Sequence, residues 1–311
     1  MYHEQACPHC GAEMQPIRTP MESSWGGEIH HVCFNDECVY FIKSWDSMEQ
    51  QGINKTGYRC RIDPRGCCGP APVWSTEALK NLVITNVDRE ETTRDHFNPE
   101  DMMRDDESPD REFYGTPRFV DHLDSLALST VEGLYGRLIP DGTKILDLMA
   151  GPDSHLQHVK RPMEVVGLGL NKEELEANTA LANYVMHDLN ADPKLPFEND
   201  TFDVVVNTVS VDYMTQPIEV FREVSRVLKA SGLFIVVFSN RMFPPKAIKI
   251  WKETNEQQRM ELVRKYFSYS DGFIIEGSFE SIGKPRPKDD KYYHLGIPSD
   301  PVYAVWSKAR K

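Results

Sequence analysis

The chain has 311 residues, 40% of them apolar and 27% charged, enough for one substantial domain with a buried core plus a small module. Its net charge of -13 disfavours nonspecific attraction to nucleic acid or anionic membrane, both of which reward clustered Lys and Arg. No stretch approaches the roughly 18 uninterrupted apolar residues of a membrane span, and MYHEQACPHC lacks the regions of a secretory signal, so a cytoplasmic location is expected.

Residues 1–45 carry the first motif. Cys7 and Cys10 form a CxxC pair and Cys33 and Cys38 a wider one, and four thiolates in two close pairs are what tetrahedral zinc requires. A small zinc ribbon is expected, with Ile17, Val32, Phe34, Tyr40 and Phe41 in its short strands. A segment this small buries little surface, so metal supplies much of its folding energy. His9, His30 and His31 lie near in sequence as reserve ligands, but four cysteines already complete a site. Cys60, Cys67 and Cys68 lack a fourth partner and are expected as free thiols in a turn-rich segment.

Through CPHCGA, the IRT at Ile17 to Thr19 and the CxNxxC at Cys33 to Cys38, this segment resembles the Ogr/Delta-like zinc-finger family of phage transcription activators. The resemblance implies a zinc-bound module serving transcription. Arg18 and Lys43 stand here against Glu4, Glu13, Glu22, Glu28, Asp36 and Glu37, so nucleic-acid binding is weakly supported and docking of a protein partner is the alternative role.

Residues 46–112 read as an irregular, acidic connector. "NVDREETTRDHFNPEDMMRDDESPDRE", Asn86 to Glu112, has few apolar residues to bury and is expected to be a solvated connector or lid. Organised sequence resumes at 113, where Phe119, Leu123, Leu126, Val131, Leu134 and Leu138 recur at roughly helical spacing.

From Lys144 onward, strand-length apolar runs alternate with amphipathic stretches such as "PIEVFREVSRVLK". The runs are "KILDLM", "MEVVGLGL", "YVMHDL", "FDVVVNTV", "LFIVVFS", "GFIIEGSF" and "PVYAVWSKA". This alternation predicts an α/β domain over 113–311: a Rossmann-like, mostly parallel sheet ending in an antiparallel pair, because no obvious helix joins the last two strands.

"DPKLPFENDTFDVVVNTVSVDYM" followed by "EVFREVSRVLKASGLFIVVFSN" resembles class I S-adenosylmethionine-dependent methyltransferases, and the resemblance extends over Phe119 to Lys311. It implies that Asp147 ends the cofactor strand, that Gly151 is the turn glycine near the cofactor's amino acid moiety, and that Asp188 and the Leu189 amide hold the adenine. Met149, Pro152 and Asp153 depart from the glycine-rich first motif. The acid that usually grips the ribose aligns with Gly169, leaving Asn171 as a replacement hydrogen-bonding group. "LDLMAGPDSHL", "VVGLGLNKEELEAN" and "FSNRMFPPKAIKIW" are similar to a glycine-poor subgroup in which the cofactor loop is rebuilt. His155 is either a general base or a backbone-bonding residue in the first turn of a helix.

Asn207, Ser210, Asp212, Tyr213 and Arg241 are expected at the mouth of the site. Met242, Phe243, Trp251, Tyr266 and Phe267 form either an apolar cover or helix core. The expected activity is methyl transfer to an unidentified acceptor. The alternative is a noncatalytic zinc-ribbon binding or regulatory protein with a degenerate methyltransferase fold.

Overall fold

The computed structural model describes residues 5–19, 28–50, 57–73, 79–80, 82–83, 92–156, 159 and 164–311. The start of the acidic run, Asn86 to Glu91, lies outside them. The chain divides into two compact units, 1–90 and 91–311.

In the first unit, β1 (Gln15–Arg18), β2 (Ile29–Val32), β3 (Gly57–Ile62) and β4 (Cys68–Val73) form an antiparallel sheet in sequence order. Ile17 and Val32 lie in strands as expected, whereas Tyr40 and Phe41 lie in a helix, α1 (Val39–Gln50). Both pack on the cysteine cluster, so their aromatic bulk serves the core from a helix. Residues 57–73, expected to be irregular, add two strands to the sheet. Buried Arg59 holds the second cysteine turn to β3: its guanidinium donates to the Cys33 carbonyl at 3.2 Å, pairs with Asp36 and lies 4.0 Å from the centre of the Phe41 ring.

In the second unit, all seven expected strands form. They are β5 (Lys144–Leu148), β6 (Glu164–Gly169), β7 (Asn183–Met186), β8 (Phe202–Thr208), β9 (Leu228–Phe238), β10 (Phe273–Ser281) and β11 (Val302–Ala309). Their order is β10-β11-β9-β8-β5-β6-β7, parallel from β7 to β9, with β11 antiparallel to both β9 and β10. Alternate residues feed two cores. Ile145, Val204, Val206 and Ile235 meet α2 (Ser125–Leu138) on one face. Leu146, Leu148, Val205 and Phe234 meet the helices after β8 and β9 on the other.

The helix expected from Phe119 onward starts only at Ser125, because the Asp124 carboxylate accepts the Leu126 and Ala127 amides and caps it there. Phe119 is exposed, and Leu123 enters the core from the preceding loop.

The connector expected through 112 is corrected from Thr92 onward. Thr93 bonds to Glu219, His96 stacks on Tyr269 at 3.9 Å, Met102 enters the core, and Asp110 pairs with Arg104 and Lys246 at 2.6 and 3.2 Å. Composition marked the segment as solvated, yet its acids find cations distant in sequence. Among the described residues, no helix is long and apolar enough to cross a membrane.

Candidate functional site

In the first unit the four expected cysteines converge, their Sγ atoms all within 4.8 Å of one another. Cys7 and Cys38 are 3.9 Å apart and Cys10 and Cys33 are 3.6 Å apart. A tetrahedral zinc with bonds of about 2.3 Å needs sulfur–sulfur edges of about 3.8 Å, so the donor set fits the metal. The first turn closes when Gly11, at φ +73, donates to the Cys7 carbonyl. The second closes through Asn35, whose carbonyl takes the Cys38 amide and whose side chain takes that of Glu37. The Ala12 backbone beside Cys10 lowers its thiol to about 7, while burial raises those of Cys33 and Cys38. Metal binding therefore expels protons from the buried thiols and weakens on acidification.

In the second unit, a cavity of about 940 Å³ opens at the carboxyl ends of β5 to β8, where sheet order reverses around β5. Asp147, Gly151, Asn171, Asp188 and Leu189 all line it. Asp188 is nearly buried, and its Oδ1 takes the Asn190 and Ala191 amides at 3.1 and 3.2 Å. Asp147 is fully enclosed; burial pushes its carboxyl up to about 6, against the opposing effect of the Ser154 hydroxyl.

The side chain of Asn171 caps a short helix, α3 (Lys172–Ala177): its Oδ1 accepts the Glu174 amide, and its Nδ2 donates to the Tyr114 and Gly115 carbonyls. Its hydrogen-bonding groups are thus engaged within the protein. Glu174, which the motif reading passed over, also lines the cavity; its Oε1 takes the Arg118 amide at 2.6 Å and burial raises its pKa.

The glycine-poor loop is braced at several points. Ala150 donates to the Leu168 carbonyl at 2.8 Å, and Asn178 Nδ2 donates to both the Gly151 carbonyl and Ser154 Oγ at 2.9 Å. Met149 sits at φ +62 and His155 at φ +56, the region that favours glycine, so the turn is made with side chains kept in place. His155 is not in a helix: its amide bonds to Asp153 Oδ1 at 2.8 Å and its Nδ1 lies 3.4 Å from the same carboxylate. Burial depresses its pKa, but the Asp153 hydrogen bond and charge outweigh this and leave it raised. The imidazole therefore faces a carboxylate rather than backbone, and the helix expected to begin here does not form.

Ser210, Tyr213, Arg241, Met242 and Phe243 line the cavity as expected. Asn207 and Asp212 do not; the first bonds to Leu148 and Ser210 from within the sheet, and the second is buried. Trp251, Tyr266 and Phe267 belong to the core. His122, Tyr114 and Arg118 complete the wall, and lone polar or aromatic residues in loops gave no periodic or motif signal. Burial lowers the His122 pKa.

The geometry explains why no acid ends β6. A Cβ on Gly169 would lie 2.5 Å from the Ala150 carbonyl oxygen, backbone that cannot rotate away. Gly169→Asp is therefore expected to destabilise the domain by about 1–3 kcal/mol without improving cofactor affinity. Thermal unfolding with S-adenosylmethionine titration checks this; tighter binding by a stable variant would show that the acid can be housed.

Residues 146–236 match the family described as methyltransferase domain, and residues 6–51 match the Ogr/Delta-like zinc finger. No curated protein matches the sequence. Among solved structures, the chain is similar to one from a complex between the Haloferax volcanii Trm112 methyltransferase activator and a methyltransferase, with 17% identity over 59% of this chain and 89% of that one and a TM-score of 0.42. It is similar to an S-adenosylmethionine-dependent methyltransferase from Listeria monocytogenes, with 16% identity over 59% and 99% and a TM-score of 0.42. One from Aquifex aeolicus gives 15% over 60% and 90%, with a TM-score of 0.40. The two matched segments fall in separate units of the chain, the zinc-finger match in the first and the methyltransferase-domain match in the second. The four-cysteine donor set fits a tetrahedral zinc.

Proposed function

We propose that the second unit transfers a methyl group from S-adenosylmethionine to an acceptor admitted to the same cavity, and that the zinc module docks a protein partner. The observation that carries this reading is the single cavity lined together by Asp147, Gly151, Asn171, Asp188 and Leu189. Bound there, S-adenosylmethionine supplies a methyl carbon activated by its sulfonium. With Asp188 Oδ1 occupied by backbone amides, Oδ2 is assigned the adenine amino group, and the Leu189 amide the ring. Asp147 opposes the cofactor's positive charge. Glu174, whose Oε2 faces Gly151, takes the ribose hydroxyls in place of the acid that position 169 cannot hold.

Across the cavity, Tyr114, Tyr213, Met242 and Phe243 form a wall that excludes water from the acceptor. Tyr213 fixes this wall, since its hydroxyl accepts the Phe243 amide at 2.8 Å. Methyl transfer needs alignment above all, so holding the acceptor in line is the wall's main contribution. Where a proton must leave the acceptor, His122 lines the cavity to take it, and burial lowers its pKa and so favours its neutral form. Seven cysteines without a disulfide fit a reducing cytoplasm.

Asp188→Ala is expected to weaken S-adenosylmethionine binding by about 1–3 kcal/mol, the scale for a hydrogen bond to a charged group. Calorimetric titration of the folded variant measures it. Unchanged affinity would remove Asp188 from the adenine site.

A further inference from the structure

The structure gathers a second set of soft donors from segments far apart in sequence. Cys60 lies in β3 and Cys68 opens β4; the ladder pairs Cys60 with Pro70 and Ile62 with Cys68, so the two cysteines are diagonal neighbours on one face. Their Sγ atoms are 3.2 Å apart. His9, in the turn between Cys7 and Cys10, brings Nε2 to 3.8 Å from Cys68 Sγ, and all three donor atoms lie within 4.8 Å of one another. The imidazole is not loose, because it stacks on Tyr40 with centroids 4.6 Å apart and planes at 25°.

We propose that His9, Cys60 and Cys68 form a second zinc site, with its fourth position open to water or a small exogenous ligand. Two thiolates and an imidazole are borderline-soft donors that select zinc over magnesium or calcium. With zinc–nitrogen and zinc–sulfur bonds of about 2.0 and 2.3 Å, a tetrahedral nitrogen–sulfur edge is about 3.6 Å, close to the gap between His9 and Cys68. The sulfur–sulfur edge is about 3.8 Å, reached from the present separation by a small rotation of exposed Cys68. Cys60 is buried whereas His9 and Cys68 are exposed, so the three donors close the site on its inner side and leave its outer side to solvent.

Binding is a proton exchange without oxidation: each thiol gives up its proton to solvent as its sulfur takes the metal. The two sites are joined through backbone, since the Cys33 amide donates to the Cys60 carbonyl at 2.9 Å. The second metal ties the β3–β4 hairpin to the first cysteine turn.

The test is zinc content of the full chain, prepared with zinc under reducing conditions and desalted, measured by mass spectrometry of the metal together with intact protein mass. Two zinc per chain are expected, falling to one in Cys68→Ser and in His9→Ala, with cobalt replacement showing the remaining four-thiolate spectrum in both. One zinc in the unaltered chain would overturn the proposal, as would full content in Cys68→Ser. Loss of both metals from Cys68→Ser would place all the ligands in one cluster and overturn a separate site. A mass lower by two hydrogens with one zinc would assign Cys60 and Cys68 to a disulfide instead.

Discussion

Cys33→Ser is expected to release the metal held by the four-cysteine cluster and unfold the four-stranded sheet, while the seven-stranded sheet stays intact. Cys7, Cys33 and Cys38 are nearly inaccessible to solvent and make up most of the small core around the cluster, so little apolar surface remains to hold the unit once the metal is gone. Structural zinc contributes on the order of 10 kcal/mol to such modules, far more than this core can replace. Hydrogen exchange should show β3 and β4 losing protection while β5, β8 and β9 keep theirs. Retained zinc with unchanged exchange in β3 would contradict the assignment. Acidification should release the same metal, because the thiolates must be protonated as it leaves.

Asp147→Asn is expected to stabilise the second unit at neutral pH and to weaken cofactor binding together. The folded carboxyl is raised to about 6 from an ordinary 3.8, so between those values the folded state holds a proton that the unfolded chain has lost. Stability therefore falls as pH rises through this window, and above it the buried charge costs about 3 kcal/mol. Asparagine removes that cost at pH 7 and little of anything at pH 4. The midpoint of thermal unfolding at pH 7 should rise by several degrees. Binding of the cationic cofactor should fall by about 1.5–3 kcal/mol as an opposing charge is lost. Equal stability changes at pH 4 and pH 7 would show that the carboxyl is not protonated in the folded protein within this range.

What the sequence disclosed follows from the range of the forces involved. The strands were legible because "KILDLM" or "FDVVVNTV" must bury both faces, a requirement written into consecutive residues. The paired cysteines were legible because a metal turn needs close spacing. The fold of residues 92–112 was hidden because its acids are matched by Lys246, Lys249 and Lys252 far along the chain. The start of α2 was misplaced because apolar spacing was followed through Phe119 past the capping signal at Asp124.

In the site, Asp147, Gly151, Asp188 and Leu189 stand at strand ends, where topology alone brings them to one cavity. The capping role of Asn171 was written in "NKEE", an asparagine three residues before a glutamate, but was passed over for a ligand role. Asn178 and His122 act through contacts with loops distant in sequence. No local pattern marks such residues, nor the approach of His9 to Cys60 and Cys68.

A loop poor in glycine is proposed to build a working cofactor site around Gly151. Calorimetric titration of the zinc-loaded chain with S-adenosylmethionine, repeated with S-adenosylhomocysteine, tests it most directly. One site per chain with micromolar affinity for both is expected, with thermal stabilisation of the second unit on binding. No heat and no thermal shift with either compound, in folded protein, would contradict it.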